Sequence, residues 1–496
     1  MTRILVLASL AGCCFLLTGC ETQEPRSGLV ISNVTVISPE RDTPMEHAYV
    51  RIVDKKIAEV NVRRLRGDTE IDGSGRYLIP GLIDTHVHLA VSPGYPAAMT
   101  ATQAAAHPKI VAAALEQDPK SYLFFGFTTV LDLVGTAERT AQWNIRDLRP
   151  DAYFCTAAII INHEIRFAIA PYFSYDMAWD ERIPPVVDPA KHTPEAVVSK
   201  IADDGALCLK TIHEVGLTPT VEEVRALVAA AHARDMPVFI HANRKSSQAF
   251  AIAAGVDVIA HGMWRSPGEE AALDDEALDI LATIARDNIG YQPTTQVIVG
   301  QFDMLDKSYF SKPQLADAYP ATLIELYAGD EGAAGTPEWV KNANTDSKIH
   351  MRETIDRATE VTRILGAADA HLLFGTDTPS DLIYTNPPGL NGRLEMNNWI
   401  KAGISLKKLF QALTINNARI IHLQDDIGTV QSGKTANLLL LTANPLRSVE
   451  AYDTIETVFL HGKPIARGDL SARHASSGNT ESVDMSSMED DGANTK

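Results

Sequence analysis

Cysteine is scarce in this chain, five in 496 residues, too few for a disulfide framework. Basic side chains are outnumbered, 44 Lys and Arg against 63 Asp and Glu, which gives a formal charge of −19. That deficit argues against non-specific binding of nucleic acid or of an anionic membrane surface, since both need basic patches. No strand-like run is followed by G-x-G-x-x-G or a Walker pattern, which weakens a nucleotide-binding reading. The apolar stretch Ile4 to Leu17 is too short and wrongly flanked to span a bilayer. What remains is globular composition, 45% hydrophobic and 22% charged, with length for one large core plus a smaller domain.

The first residues, Met1-Thr2-Arg3 followed by the apolar run and Thr18-Gly19-Cys20, read as a secretory signal peptide over residues 1–19. Leu17-Thr18-Gly19-Cys20 resembles a bacterial lipobox, which makes Cys20 a lipidated N-terminus and residues 20–27 a tether. The expected protein is exported and held at the cell envelope, on the periplasmic side of either membrane or at the cell surface. It meets the membrane only through its lipid. Loss of Arg3 leaves a mature charge of 43 − 63 = −20. Only Cys155 and Cys208 then remain as internal thiols, both in apolar strand-like runs. Core packing is the expected role, with a bridge between them the alternative in an oxidising compartment.

Residues 28–60 read as short alternating strands, and similar ones recur at Ala436 to Leu441 and Ile455 to Leu460. The chain ends are therefore expected to meet in a small β-sandwich domain, built from residues 28–80 and 427–468, with 469–496 a disordered tail. Between them, over 81–426, apolar runs end near His86, Asp132, Ile161, Lys210, His241, His261, Pro293 and Asp377. Helical stretches separate most of these runs. Thr220 with Glu223 reads as a capping box, and Thr193-Pro194 as a helix start. Eight such units fit an α/β fold of the TIM-like (β/α)8 barrel type.

His86 and His88 sit at i and i+2 near the end of the first such strand. They project to one face, as a metal half-site at a barrel mouth requires. Lys210, His241, His261 and Asp377 close later strands. Singly, each has an ordinary explanation as a bonded core histidine or a helix N-cap. Their joint occurrence in successive units does not.

With "LIPGLIDTHVHL", "GFTTVLDL", "GVDVIAHG", "LLFGTDTP" and "ALTINNARIIHLQDDIGTVQSGKTANLLLLTANPL", residues 28–465 resemble the amidohydrolase superfamily, and in it the imidazolonepropionase-like and prolidase-like members. The resemblance implies a distorted barrel holding one or two divalent metal ions, zinc being the expected metal. His86, His88 and Asp377 would hold the first and His241 and His261 the second. Lys210, carbamylated by carbon dioxide, would bridge both. The implied reaction is hydrolysis of an amide-type C–N bond by a hydroxide shared between the metals, with Asp377 moving the proton. The expected partner is a small-molecule or dipeptide substrate, a dipeptide or N-acyl amino acid in the prolidase-like case. A homo-oligomer stays open.

Two alternatives stand beside this reading: a mononuclear cyclic-amide hydrolase or deaminase, and a non-catalytic surface binding lipoprotein. Deamination is disfavoured because Ala242-Asn243-Arg244 follows His241, where deaminases of the superfamily carry a glutamate. His163 is expected to face the substrate as a catalytic residue, and Tyr291 and Tyr384 to hydrogen-bond it. The competing reading for all three is structural. His213 is ambiguous in the same way. Inserts at 91–120, 166–192 and 296–345 would overhang the mouth and select the substrate.

Overall fold

The computed structural model describes residues 27–89, 106–168, 186–214, 217, 219–266, 268–329, 338–379 and 384–475. The signal peptide, Cys20, nearly all of the tether and the tail beyond 475 lie outside the described residues, as do parts of all three inserts.

The strands in chain order are β1 (Leu29–Val36), β2 (Met45–Val53), β3 (Lys56–Asn61), β4 (Thr69–Asp72), β5 (Tyr77–Pro80), β6 (Leu82–Val87), β7 (Phe127–Asp132) and β8 (Asp151–Ile161). They continue with β9 (Glu164–Ala168), β10 (Cys208–Ile212), β11 (Val238–His241), β12 (Val258–Ala260), β13 (Gly290–Gln292), β14 (Leu438–Leu441), β15 (Ile455–Leu460) and β16 (Lys463–Ala466).

The chain ends do meet. One sheet runs β16-β15-β14-β5-β1-β2-β3, with β4 beside β1. Leu438 to Leu441 pair antiparallel with Pro80 to Tyr77, so the late strands continue the early ones. All eight strands are linked by hydrogen bonds in one path, the sheet that was expected from the two chain ends. The join is β14, buried along its length and paired on each side, while β1 divides its pairing between β4 and β5 and Lys56 of β3 bridges to Thr435, so that the path curls over a shared apolar core.

The second sheet runs β13-β12-β11-β10-β8-β7-β6, seven strands paired in parallel, with β9 turning back against β8. Every residue of β6, β7, β10 and β11 is buried, the pattern of strands enclosed on both faces. In the eighth position lies 371–378, an irregular segment bridging Leu372 to Tyr291 of β13 and Thr378 to Val87 of β6. Asn417 clamps this segment to β6. Its amide donates to the carbonyls of Ile83 (2.8 Å) and Phe374 (2.7 Å), and its oxygen accepts from the Phe374 N–H (3.0 Å). The helix starts read from the sequence are present. Thr193 caps Pro194–Asp203, and Thr220 with Glu223 makes the capping box of Val221–His232.

Asp151, at the start of β8, ties the barrel sheet to the terminal sheet. It accepts from His461 Nε2 (2.9 Å) and Asn437 Nδ2 (2.9 Å) and pairs with Arg149. The expected tail is ordered in its first seven residues, 469–475. Leu470 is buried, its carbonyl accepts from Gln117 Nε2 (2.9 Å), and Arg473 pairs with Asp317 (2.8 Å). A single apolar residue among polar neighbours carries too weak a pattern to mark this docking.

Cys155 and Cys208 face each other across β8 and β10 and are joined by a disulfide. The alternative reading of these thiols is the one the structure adopts. The bond closes a loop of 53 residues, so constraint of the unfolded chain is worth about 4 kcal/mol. A Cys155→Ala/Cys208→Ala protein is expected to lose about that much in a denaturant titration. An unchanged midpoint would mean that the bridge does not form in solution.

Candidate metal centre

The strand ends of the barrel sheet converge on a buried polar cluster. His86, Lys210, His241, His261 and Asp377 are all at least 95% buried. One ligand atom each from His86, His261 and Asp377 lie within 4.8 Å of one another. Asp377 Oδ1 stands 3.1 Å from His86 Nε2 and 2.8 Å from His88 Nε2. The His241 and His261 rings lie 4.4 Å apart, and those of His86 and His261 5.0 Å. The cluster thus brings together all six residues that the resemblance named. Asp377 is in direct contact with His86 and His88, His261 joins them, and His241 meets His261 edge-on. Lys210 lies on β10 within electrostatic reach of Asp377, His86, His241 and His261.

Backbone and neighbours fix these side chains. His261 (φ 79°), Asp377 (φ 58°) and Thr294 (φ 43°) occupy the left-handed region, uncommon for residues with a Cβ and concentrated at functional sites. Thr294 Oγ1 holds His261 Nδ1 at 2.9 Å, which leaves Nε2 free to face the centre. Glu395 accepts from the Thr295 and Gln296 N–H groups (3.1 and 2.6 Å), and so anchors the helix Thr295–Asp303 directly behind Thr294. Asp84 binds the His86 N–H (3.1 Å) and the Thr376 hydroxyl (2.6 Å), tying β6 to the segment that carries Asp377. Asp132 Oδ1 lies 4.0 Å from His88 Nδ1. A carboxylate behind a ligating imidazole fixes its tautomer and raises its basicity.

The electrostatics suit cation ligation. Burial pushes the His86 imidazole down to about 3 and lowers those of His241 and His261, so these rings are neutral, the form that binds metals. Burial alone would raise the Asp377 carboxyl, but His86, His88 and His261 hold it well below the ordinary range, so it is ionised. Burial drives the Lys210 amine down to about 7. Lys210 Nζ and His86 Nδ1 are buried with no hydrogen-bond partner among the described residues. Orphan polar atoms in a dry site are costly unless a ligand completes them. A donor set of four imidazoles, one carboxylate and one lysine fits a divalent cation, with the lysine requiring conversion to an anion.

The candidate substrate contacts fare differently. His163 sits in the β8–β9 turn, exposed, bonded through Nδ1 to Glu223 Oε1 (2.8 Å), and does not join the buried cluster. Two residues of turn carry it past the strand end. We expect His163→Ala to change kcat/KM less than threefold, whereas a loss above tenfold would return it to the site. Tyr291 is fully buried, and its hydroxyl accepts from Gln248 Nε2 (3.1 Å) on the surrounding helix Lys245–Ala254. On a strand of period two, Tyr291 faces the helices, whereas its neighbour Gln292 turns inward and donates to Thr85 Oγ1 (2.9 Å). Tyr384 stacks on Phe310 (5.0 Å) and Tyr327 (5.5 Å) in an aromatic group beyond the mouth. His213 stacks on Phe250 (4.1 Å) and pairs with Ser247 (3.0 Å), a packed position.

Glu214, four residues past Lys210, was not singled out from the sequence. It puts Oε2 3.2 Å from His241 Nε2 and Oε1 3.2 Å from Arg244 Nε. The acid missing from the sequence after His241 is thus supplied by the neighbouring strand end, with both oxygens already engaged. Trp264, whose ring stands 5.4 Å from His261, walls the same sector.

A family model described as the amidohydrolase family matches residues 77–465. No curated protein sequence matches the chain. Among solved structures, a putative prolidase from Bifidobacterium longum superposes with a TM-score of 0.60 at 20% identity, covering 89% of this chain and 95% of its own. A Xaa-Pro dipeptidase with methionine bound in its active site gives 0.60 at 20% identity, over 88% and 99%. The ochratoxinase of A. niger gives 0.62 at 18% identity, over 88% and 95%. At such identities the likeness is one of fold.

Proposed function

The chain belongs to the amidohydrolase family and is a hydrolase of carbon–nitrogen bonds, and from that premise we propose that it cleaves the amide bond of dipeptides or N-acyl amino acids with the help of two divalent cations. The observation that carries this reading is the buried convergence of His86, His261 and Asp377 beside Lys210, whose Nζ has no hydrogen-bond partner among the described residues. His86, His88 and Asp377 would hold one cation and His241 and His261 the other. Lys210 would bridge them as a carbamate. Its neutral Nζ adds to carbon dioxide, a C–N bond forms, and the nitrogen's proton leaves to solvent.

When bound, divalent cations, zinc in this reading, polarise a substrate carbonyl and make water acidic. The chain's own residues supply the rest. Ionised Asp377 accepts a proton from the attacking water on a carboxylate oxygen and returns it to the departing nitrogen. Thr294 and Glu214 keep the His261 and His241 rings oriented. Trp264 walls one side of the site, beside His261. The names of a prolidase and a Xaa-Pro dipeptidase among the structural neighbours support the choice of substrate class.

We also propose that the protein is an exported lipoprotein anchored through Cys20, a reading supported by the Cys155–Cys208 bridge, which belongs to an oxidising compartment. One observation favours a one-cation variant of the same chemistry: among the described residues, only His86, His261 and Asp377 form a compact ligand triad. Deamination is disfavoured because both oxygens of Glu214 are occupied, and a binding-only role because all six ligand positions are filled.

The test is metal per chain by elemental mass spectrometry on residues 21–496, after loading with zinc and bicarbonate, alongside a panel of dipeptides and N-acyl amino acids. About two metals with turnover supports the proposal. One metal with turnover moves the reading to the mononuclear variant. No metal and no turnover leaves a binding protein.

A further inference from the structure

We infer that Arg244 is the specificity-determining residue of the site, and that it selects substrates bearing a free α-carboxylate next to the scissile amide. The inference rests on the amide-hydrolase reading and narrows it to N-acyl amino acids and dipeptides with an ionised C-terminus, against their amidated or cyclic counterparts.

The argument starts from a ladder of contacts leading out of the centre. His241 Nε2 meets Glu214 Oε2 at 3.2 Å, and Glu214 Oε1 meets Arg244 Nε at 3.2 Å. Side-chain exposure rises along it, from 2% at His241 to 12% at Glu214 and 34% at Arg244. The ladder therefore climbs from the buried ligands toward solvent, on the side where the strands end. Arg244 immediately precedes the helix Lys245–Ala254 and makes no capping bond there. Glu214 Oε1 is an ion-pair partner of its Nε, although that buried N–H makes no hydrogen bond among the described residues. Among the described residues, no partner is found for the outer edge, formed by Nη1 and Nη2.

That state is unusual for cations in this sector. Lys245 pairs with Asp274 (2.6 Å) and Glu276 (2.7 Å), Arg265 with Glu353 (3.1 Å) and Arg357 with Glu269 (3.4 Å). Two further polar atoms beside Arg244, Asn243 Oδ1 and Trp264 Nε1, are buried without partners. A guanidinium whose Nη1 and Nη2 are not engaged can receive a carboxylate through two parallel hydrogen bonds, which is how arginine reads that group. The chemistry of the substrate closes the argument. In an N-acyl amino acid only the amide nitrogen and Cα separate the attacked carbonyl from the carboxylate. Arg244 stands on the same strand-end loop as His241, so the ion-pair ladder places a cation at the rim of the site for that charge. In a chain of net charge −19 an anionic substrate also needs such a local cation for its approach.

The experiment compares matched pairs, N-acetyl amino acids and Xaa-Pro dipeptides against the same compounds as C-terminal carboxamides, on the zinc-loaded enzyme and on Arg244→Met and Arg244→Gln. The wild type is expected to prefer the free acid by about 10- to 100-fold in kcat/KM, the range for a hydrogen bond to a charged group, mostly through KM. Both variants are expected to bring that ratio within threefold of one. The ratio is internal to each protein, so partial unfolding does not mimic the result. A preference that survives in both variants overturns the inference, as does a wild type indifferent to the carboxylate. In either case cleavage itself would leave the hydrolase reading standing. If neither compound is cleaved, calorimetric binding decides. Acid bound over amide by the wild type alone supports Arg244, and no difference overturns it.

Discussion

Asp377→Asn is expected to lower turnover at least a thousandfold while leaving the chain folded. The substitution keeps the volume and removes the charge. In the native site that charge faces His86 Nε2 at 3.1 Å and His88 Nε2 at 2.8 Å, and no other carboxylate lies in the ligand triad. Two losses combine. Proton transfer by a positioned carboxylate contributes about 10²–10⁴ in rate. Removing the anionic donor weakens cation binding as well, because nothing else in the triad balances the cation's charge. The neutral amide also cannot act as the proton acceptor at any ordinary pH, so raising the pH should not restore the rate. The measurement is kcat at saturating zinc, with metal per chain on the same sample. A variant within tenfold of the wild type at full metal loading would remove Asp377 from the reaction.

The site was legible in the sequence wherever a candidate ligand closes a strand, and illegible wherever its support comes from elsewhere in the chain. His86, His88, Lys210, His241, His261 and Asp377 each follow an apolar run, so strand ends could be marked and their meeting at one rim inferred. Asp84 and Asp132 lay in the same runs. They act behind the ligands, and a carboxylate buried among apolar residues carries no mark of which backbone N–H it will meet. Glu395 reaches Thr295 and Gln296 from a helix about a hundred residues away, a distance no local pattern spans. Tyr291 shows a different failure. In a strand as short as Gly290–Gln292, buried on both faces, composition does not tell which side chain points inward. The terminal domain shows the same limit at the level of strand order. The strands and their union from both ends were readable, but the order in which they pair was not, because the four consecutive leucines of β14 carry no alternation.

Lys210→Met is expected to do opposite things to stability and to function. In the metal-free protein the ammonium has no hydrogen-bond partner among the described residues and is held in a dry core, so its presence costs stability. The fall of its pKa from 10.5 to about 7 corresponds to up to about 5 kcal/mol. The folded-state value lies below the unfolded one, so the unfolded chain binds the extra proton between pH 7 and 10.5. The penalty is therefore full below pH 7 and is relieved as pH rises through that window. Methionine fills a similar volume without charge. The metal-free variant should be several degrees more stable than the parent at pH 7, with the gap closing toward pH 10, in thermal melts run with a chelator. The same substitution removes the amine that the proposed function makes a carbamate. Metal per chain should fall from about two to one or fewer, and turnover by at least a hundredfold, with no response to added bicarbonate. A variant that is less stable at pH 7 would mean that Lys210 is paired in solution. A variant that keeps two metals would show that the second cation does not depend on this lysine. Only a residue retained for chemistry at the expense of the fold gives both a more stable metal-free chain and an inactive enzyme.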